Sequence, residues 1–287
     1  MRLLLPIFSF WLLLYSCGIQ KVDLPEALNE VSGIEQISKD LYVSINDSGD
    51  EPYLYVFNSS GEIVHKMCVS GAKNIDWEDI TYDGNYLYIG DIGNNRNQRK
   101  DLAIYRIDID TTIKMAYEGN DSGSRLKDTV EALRYSFQYP DQKEFPPQAS
   151  QMNFDSEALA YDNGNLLILS KDRSKPYKGV CKIYEGEFLE DKLNVKLLQE
   201  IKLKGFSWLT GSVTGCDYSN GMLYVLTYKR VYVYKRVNDQ FNFLLKKNLG
   251  RLQQWEGVCL DSNNLIRVVA EKSRLGKQKL KTINIWE

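Results

Sequence analysis

One spacing recurs along this chain and limits what it can fold into. In "WEDITYDGNYLYI" a glutamate, Glu78, is followed nine positions later by Leu87-Tyr88-Ile89, with a turn signal between two short alternating runs. "SEALAYDNGNLLILSKD" repeats this from Glu157, and "WEGVCLDSNNLIRVVAEK" from Glu256. "VTGCDYSNGMLYVLTYK" keeps the spacing with Thr214 in the acidic place, and "SGIEQISKDLYVSIND" is a shortened copy beginning at Glu35. Period-two apolar runs separated by Gly, Asn and Asp are hairpins. A hairpin recurring at a fixed acidic residue is an internal repeat, and a repeat dictates architecture before any single motif does.

Each copy continues into a third strand, "YLYVF", "LAIYRI", "VCKIY", "VYVYK" and "KTINIW", and the first four add a fourth strand such as "EIVHKMCV". The last copy stops after its third. Successive copies start 43, 79, 57 and 42 residues apart, which suits four-stranded antiparallel blades arranged around an axis. The expected fold class is therefore all-β: a β-propeller with five blades, or six if the long interval around "DIDTTIKMAYEGNDSGSR" conceals a further one. The abundance of Tyr, Val, Ile and Phe agrees with strands. Residues 31–287 are expected to form the propeller, and residues 18–30, with "IQKVDLP", a short tether placed to supply the missing strand.

The first seventeen residues, "MRLLLPIFSFWLLLYSC", pair one Arg with an apolar run too short to span a bilayer comfortably. They read as a signal peptide of the lipoprotein type ending at Cys17, the expected lipid attachment site. The mature chain is then exported and anchored through lipid to the bacterial cell envelope. Cys68, Cys181, Cys216 and Cys259 lie in apolar runs without metal-type spacing and read as buried free thiols. A formal charge of -2 gives no basic footprint, so a nucleic-acid partner is not expected.

In a propeller the first strand of each blade lines the central channel, so a residue type repeated at its start forms a ring at one mouth. That ring is predicted to be Glu35, Glu78, Glu157 and Glu256, with Asp47 and Asp91 brought to the same mouth by the ends of second strands. Clustered carboxylates raise one another's pKa and need protons, lysines or a cation. An all-oxygen ligand set suits Ca²⁺, and without His or Cys partners Zn²⁺ does not fit. Asn46, Arg96, Lys171 and Lys272 are the candidate ligand contacts, with Arg99 beside Arg96 in "DIGNNRNQRK". Asp76, Asp79 and Asp155 instead suit structural pins between blades, and Trp77 and Trp255 suit packing. The single histidine, His65, falls in a fourth strand away from the axis, which excludes a His-based triad.

The ordered blocks "DWEDI…LYIGDIGNNRNQR", "DSEALAYD…LLILSKD", "VTGCDYS…VLTYKR" and "WEGVCLD…VVAEK" resemble a group of uncharacterised secreted bacterial β-propeller proteins over residues 30–287. More distantly, "SGIE" resembles calcium-dependent gluconolactonase, phosphotriesterase and paraoxonase propellers. That likeness implies a Ca²⁺ held by Glu35, with Asn46, Asp47 and Asp91 as partners. Two functions follow as expectations: an envelope-anchored module binding a protein or small molecule at an acidic, calcium-holding mouth, or a Ca²⁺-dependent hydrolase of lactones or phosphoesters.

Overall fold

The computed structural model describes residues 21–109, 128–205 and 207–286. Twenty strands account for most of them, and the one α-helical turn among the described residues is Trp208–Gly211. The strands fall into groups of four. The first is β2 (Val31–Ser38), β3 (Leu41–Asn46), β4 (Tyr53–Asn58) and β5 (Ile63–Ser70). The second is β6 (Trp77–Tyr82), β7 (Tyr86–Asp91), β8 (Ala103–Asp108) and β9 (Thr129–Ser136). The third is β10 (Asp155–Asp162), β11 (Asn165–Lys171), β12 (Val180–Leu189) and β13 (Lys192–Lys202). The fourth is β14 (Val213–Ser219), β15 (Met222–Thr227), β16 (Arg230–Val237) and β17 (Gln240–Asn248). The fifth joins β18 (Trp255–Leu260), β19 (Ile266–Ala270) and β20 (Lys279–Ile283) to β1 (Lys21–Asp23), which pairs antiparallel with β20.

Within every group neighbouring strands are antiparallel, as hairpins require. Asn163-Gly164 and Asn220-Gly221, all four at positive φ, form the two-residue turns between β10 and β11 and between β14 and β15. Asn-Gly is the preferred sequence there because both central residues must be left-handed. The groups are arranged around an axis: β2 contacts β6, β6 contacts β10, β10 contacts β14, β14 contacts β18, and β18 returns to β2.

Strand alternation places apolar side chains on both faces of each sheet, so the core is divided among the gaps between sheets. Ile45, Val56 and Met67 meet Trp77 and Ile89 in one gap. Ile104 and Tyr135 meet Ile168 and Tyr184 in the next, and Leu169 and Ile183 meet Val225 and Tyr232 in the third. Tyr224 and Val233 meet Trp255 and Val268, and Val269 and Leu280 meet Ile34 and Tyr42, which closes the circle. Each fully buried Leu, Ile, Val or Phe contributes about 1.5–3 kcal/mol relative to exposure, so these gaps hold the ring together.

Side chains on the inner strands add polar ties between neighbours. Asp79 accepts backbone N–H groups from Ile80 (2.9 Å), Leu159 (2.9 Å) and Cys216 (3.3 Å), so one carboxylate spans three inner strands. Asp217 accepts from Leu260 N–H at 2.6 Å, Thr81 from Tyr161 N–H at 3.1 Å, and Thr214 donates to Trp255 O at 2.6 Å. Among the described cysteines Cys181, Cys216 and Cys259 are buried, Cys68 is half-buried, and all four are free thiols.

Candidate metal centre

Every inner strand carries a register shift near its start, where an extra residue is bulged out. The shift falls between Trp77 and Asp79, Ser156 and Ala158, Val213 and Gly215, and Trp255 and Gly257. The skipped residues are Glu78, Glu157, Thr214 and Glu256, the positions of the sequence repeat. A bulge re-aims a side chain that regular alternation would send elsewhere, which is why the acidic residue recurs there. In β2 the shift falls between Ser32 and Ile34, so the skipped residue is Gly33. Glu35 therefore does not belong to the ring: it lies two residues past that bulge, and a second bulge between Gln36 and Ser38 takes up a further residue of this copy. Glu35 is fully enclosed deeper in the channel. Burial and the nearby Asp217 and Asp79 push its carboxyl well above the usual range.

The mouth is a cavity of about 200 Å³ lined by Ser32, Asp47, Glu78, Asn95, Glu157, Lys171, Arg173, Trp208, Tyr228, Gln254, Glu256 and Glu271. Carboxylate oxygens of Asp47, Asp76 and Glu78 lie within 4.8 Å of one another, as do those of Glu78, Asp155 and Glu157. Glu78 belongs to both groups, which differ in charge. In the second, Lys171 Nζ pairs with Glu157 at 2.5 Å, and Arg173 reaches Asp155 at 2.5 Å and Glu157 at 3.0 Å. Burial opposes ionisation of Glu157, yet Lys171 and Arg173 hold its pKa below the usual value. Asp155 is raised to about 7 by burial and Glu157, against the pull of Arg173.

No cation is paired to the first group. Among the described residues no lysine or arginine forms an ion pair with Asp47, Asp76 or Glu78. Burial, then Glu157, Asp47 and Asp76, push Glu78 well above its ordinary pKa, and burial brings Asp47 to about 6. Burial also raises Asp76, with Arg99 pulling it back. A cation therefore fits beside Glu78, Asp47 and Asp76, where charge is missing, and not beside Asp155 and Glu157, where two cationic side chains already supply it. The donor set is oxygen alone, which matches a hard divalent ion.

Several sequence candidates have other roles. Asp91 is buried but engaged by Arg99 at 2.9 Å and accepts Asp76 N–H at 3.1 Å, so it shapes the loop behind the ligands. Asn46 Nδ2 holds Ala27 O at 2.9 Å and Asp50 at 2.8 Å, away from the cavity lining. Lys272 leaves the mouth to pair with Glu26 at 2.5 Å, and Arg96 is exposed outside the lining. Lys171 and Glu256 do line the mouth. His65 lies on β5, the fourth strand of its sheet. Cys17 lies outside the described residues.

Sequence reasoning missed Arg173, Asn95, Trp208, Gln254 and Asp217. Arg173 follows Lys171 by two residues in "SKDRSKP", a cation-rich run that was the available signal. Asp76 and Asp155 were read as pins. Asp155 partly is one, since it accepts Asn94 N–H at 2.6 Å, but both also face Glu78.

No family model matches the chain, and no curated protein matches it in sequence. Solved structures do match in shape. A glutaminyl cyclase from Myxococcus xanthus is 11% identical, with a TM-score of 0.51, and the match covers 92% of this chain and 94% of that one. The fold is a β-propeller. A gluconolactonase from Xanthomonas campestris is 8% identical at a TM-score of 0.43, over 84% of this chain and 68% of that one. A virginiamycin B lyase from Staphylococcus aureus is 14% identical at a TM-score of 0.40, over 92% and 69%. At such identities the likeness concerns the fold, and chemistry has to be argued from the residues of the mouth.

Proposed function

We propose that this chain is a five-bladed propeller, exported and anchored to the cell envelope by lipid on Cys17. Its acidic mouth holds Ca²⁺ and there binds a protein or small-molecule ligand. The observation that carries the reading is Glu78, buried between two carboxylate groups and without a cationic partner among the described residues. Asp47, Asp76 and Glu78 supply the protein oxygens, and the ion leaves room in its shell for oxygens from a ligand. The five-blade reading is supported by the single closed cycle of inner-strand contacts.

Binding is preferred to calcium-dependent hydrolysis of lactones or phosphoesters. A hydrolase needs a free base beside the ion, whereas Asp155 is held by Arg173, Glu157 by Lys171 and Arg173, and Glu271 by Gln254. The deciding experiment is elemental analysis and thermal melting of the full chain with Ca²⁺ and with chelator. One bound calcium per chain and a calcium-dependent rise in Tm are expected. Glu78→Gln should abolish the rise, while Glu35→Gln, outside the ring, should retain it. Absence of both bound metal and the Tm shift in the wild-type chain would overturn the proposal.

A further inference from the structure

The repeat allows equivalent positions to be compared between sheets, and one pair differs where it should not. Trp77 begins β6 and Trp255 begins β18, each just before the bulged glutamate, and the two oppose Asp91 and Ala270 respectively. Trp77 Nε1–H donates to Lys73 O at 3.0 Å. Trp255 is only 2% exposed, yet its Nε1–H has no acceptor. Buried polar groups are almost always satisfied, so an orphaned indole N–H marks a missing acceptor.

A second donor beside it is only partly satisfied. Lys281 on β20 is 5% exposed, and its Nζ stands 5.8 Å from the Trp255 ring centroid. An ammonium carries three donors, and Lys281 Nζ gives one to Leu249 O at 2.6 Å. Among the described residues no carboxylate pairs with it. Its register partner across the β1–β20 pair is another lysine, Lys21. Burial, reinforced by Lys21, lowers the pKa of Lys281. Buried charges are ordinarily paired, whereas Lys281 reaches only the Leu249 carbonyl of the apolar cluster that holds Trp255, Ile283 and Ile285, with Lys21 exposed at its edge.

We propose that a small monovalent anion, a halide or the carboxylate of a small organic acid, binds between Lys281 Nζ and Trp255 Nε1. The anion accepts from both groups and offsets the repulsion between Lys21 and Lys281. It thereby stabilises the strand pair through which the N-terminal segment joins the last sheet. The apolar surround favours a weakly hydrated monoanion over sulfate or phosphate. This site lies outside the carboxylate mouth and does not depend on the calcium reading.

Thermal melting of the full chain tests it at constant ionic strength, since added salt alone screens the lysine pair. Chloride, bromide or formate replaces a bulky organic sulfonate. A saturable rise in Tm with halide or formate is expected, and whichever responds identifies the source of the anion. Lys281→Met should remove the response, and Trp255→Phe, which keeps a ring but not the N–H, should weaken anion affinity about tenfold. If Lys281→Met does not fold, Trp255→Phe and the anomalous signal of bromide beside Lys281 in crystals decide. No anion-specific shift in the wild-type chain, or an unchanged response in Trp255→Phe, would refute the proposal.

Discussion

Two acids one residue apart, Glu78 and Asp79, do unrelated work. Glu78 is bulged toward the mouth and finds carboxylates, while Asp79 points into the channel and finds three backbone amides. Burial pushes Asp79 well above the usual carboxyl range, and those amides pull against it. Asp79→Asn puts an NH₂ group against at least one of the amide donors. An unsatisfied buried donor costs about 1–3 kcal/mol, so chemical denaturation should show a loss of that size with the calcium-dependent Tm shift intact. Loss of the calcium shift without loss of stability would mean that Asp79 is a ligand and not a tie. The acidic repeat was legible from sequence, and so was the assignment of Asp79 to structure. The register of Glu35 was not, because spacing alone cannot show that β2 bulges at Gly33 and again near Ile37. Which acids retain charge was equally hidden, since Arg173 reaches Asp155 and Glu157 from beyond the end of its hairpin.

At the scale of elements, the loop after β7 backs the proposed cation site. Gly93 N–H donates to Asp76 O at 3.1 Å, and Arg99 Nη1 donates to Gly93 O at 2.8 Å, so the loop is fixed behind the ligands. A Cβ at Gly93 would run into the carboxylates of Glu78 and Asp76. These are ends of side chains, which can swing aside without unfolding a sheet. Gly93→Ala should therefore lower calcium affinity at least tenfold in a calorimetric titration. Its denaturation free energy should stay within about 1 kcal/mol of wild type, the cost of a substitution that disturbs neither core nor backbone. An unchanged affinity would place the ion away from Glu78 and Asp76. Sequence exposed the hairpins because Asn-Gly turns and period-two runs are local signals. It did not expose the loop's role, because "DIGNNRNQRK" meets Asp155 through contacts with no trace in its own spacing.

At the scale of the whole molecule, among the described residues carboxylates with raised pKa outnumber those that are lowered, and this sets the dependence of stability on pH. Burial takes Asp47 and Asp217 to about 6, Asp155 to about 7 and Glu271 to about 8, and also raises Glu35, Glu78 and Glu256. An unfolded chain releases these protons near pH 4, whereas the folded chain keeps them longer. Between those values the folded state binds more protons, so stability falls as pH rises. Glu157 and Glu185 have lowered pKa values, and their contribution is lost as pH drops below about 4. Urea midpoints in chelator should thus peak near pH 5 and decline through pH 8. Calcium inverts the logic at the mouth, because its ligands must be ionised to bind it. Saturating Ca²⁺ should flatten the decline and release protons on binding, while the part owed to Glu35 and Asp217, deeper in the channel, persists. A stability that climbs from pH 5 to pH 8 in chelator would show that the folded chain does not store these protons. The excess of acid at the mouth would then be neutralised some other way than by a proton or an ion.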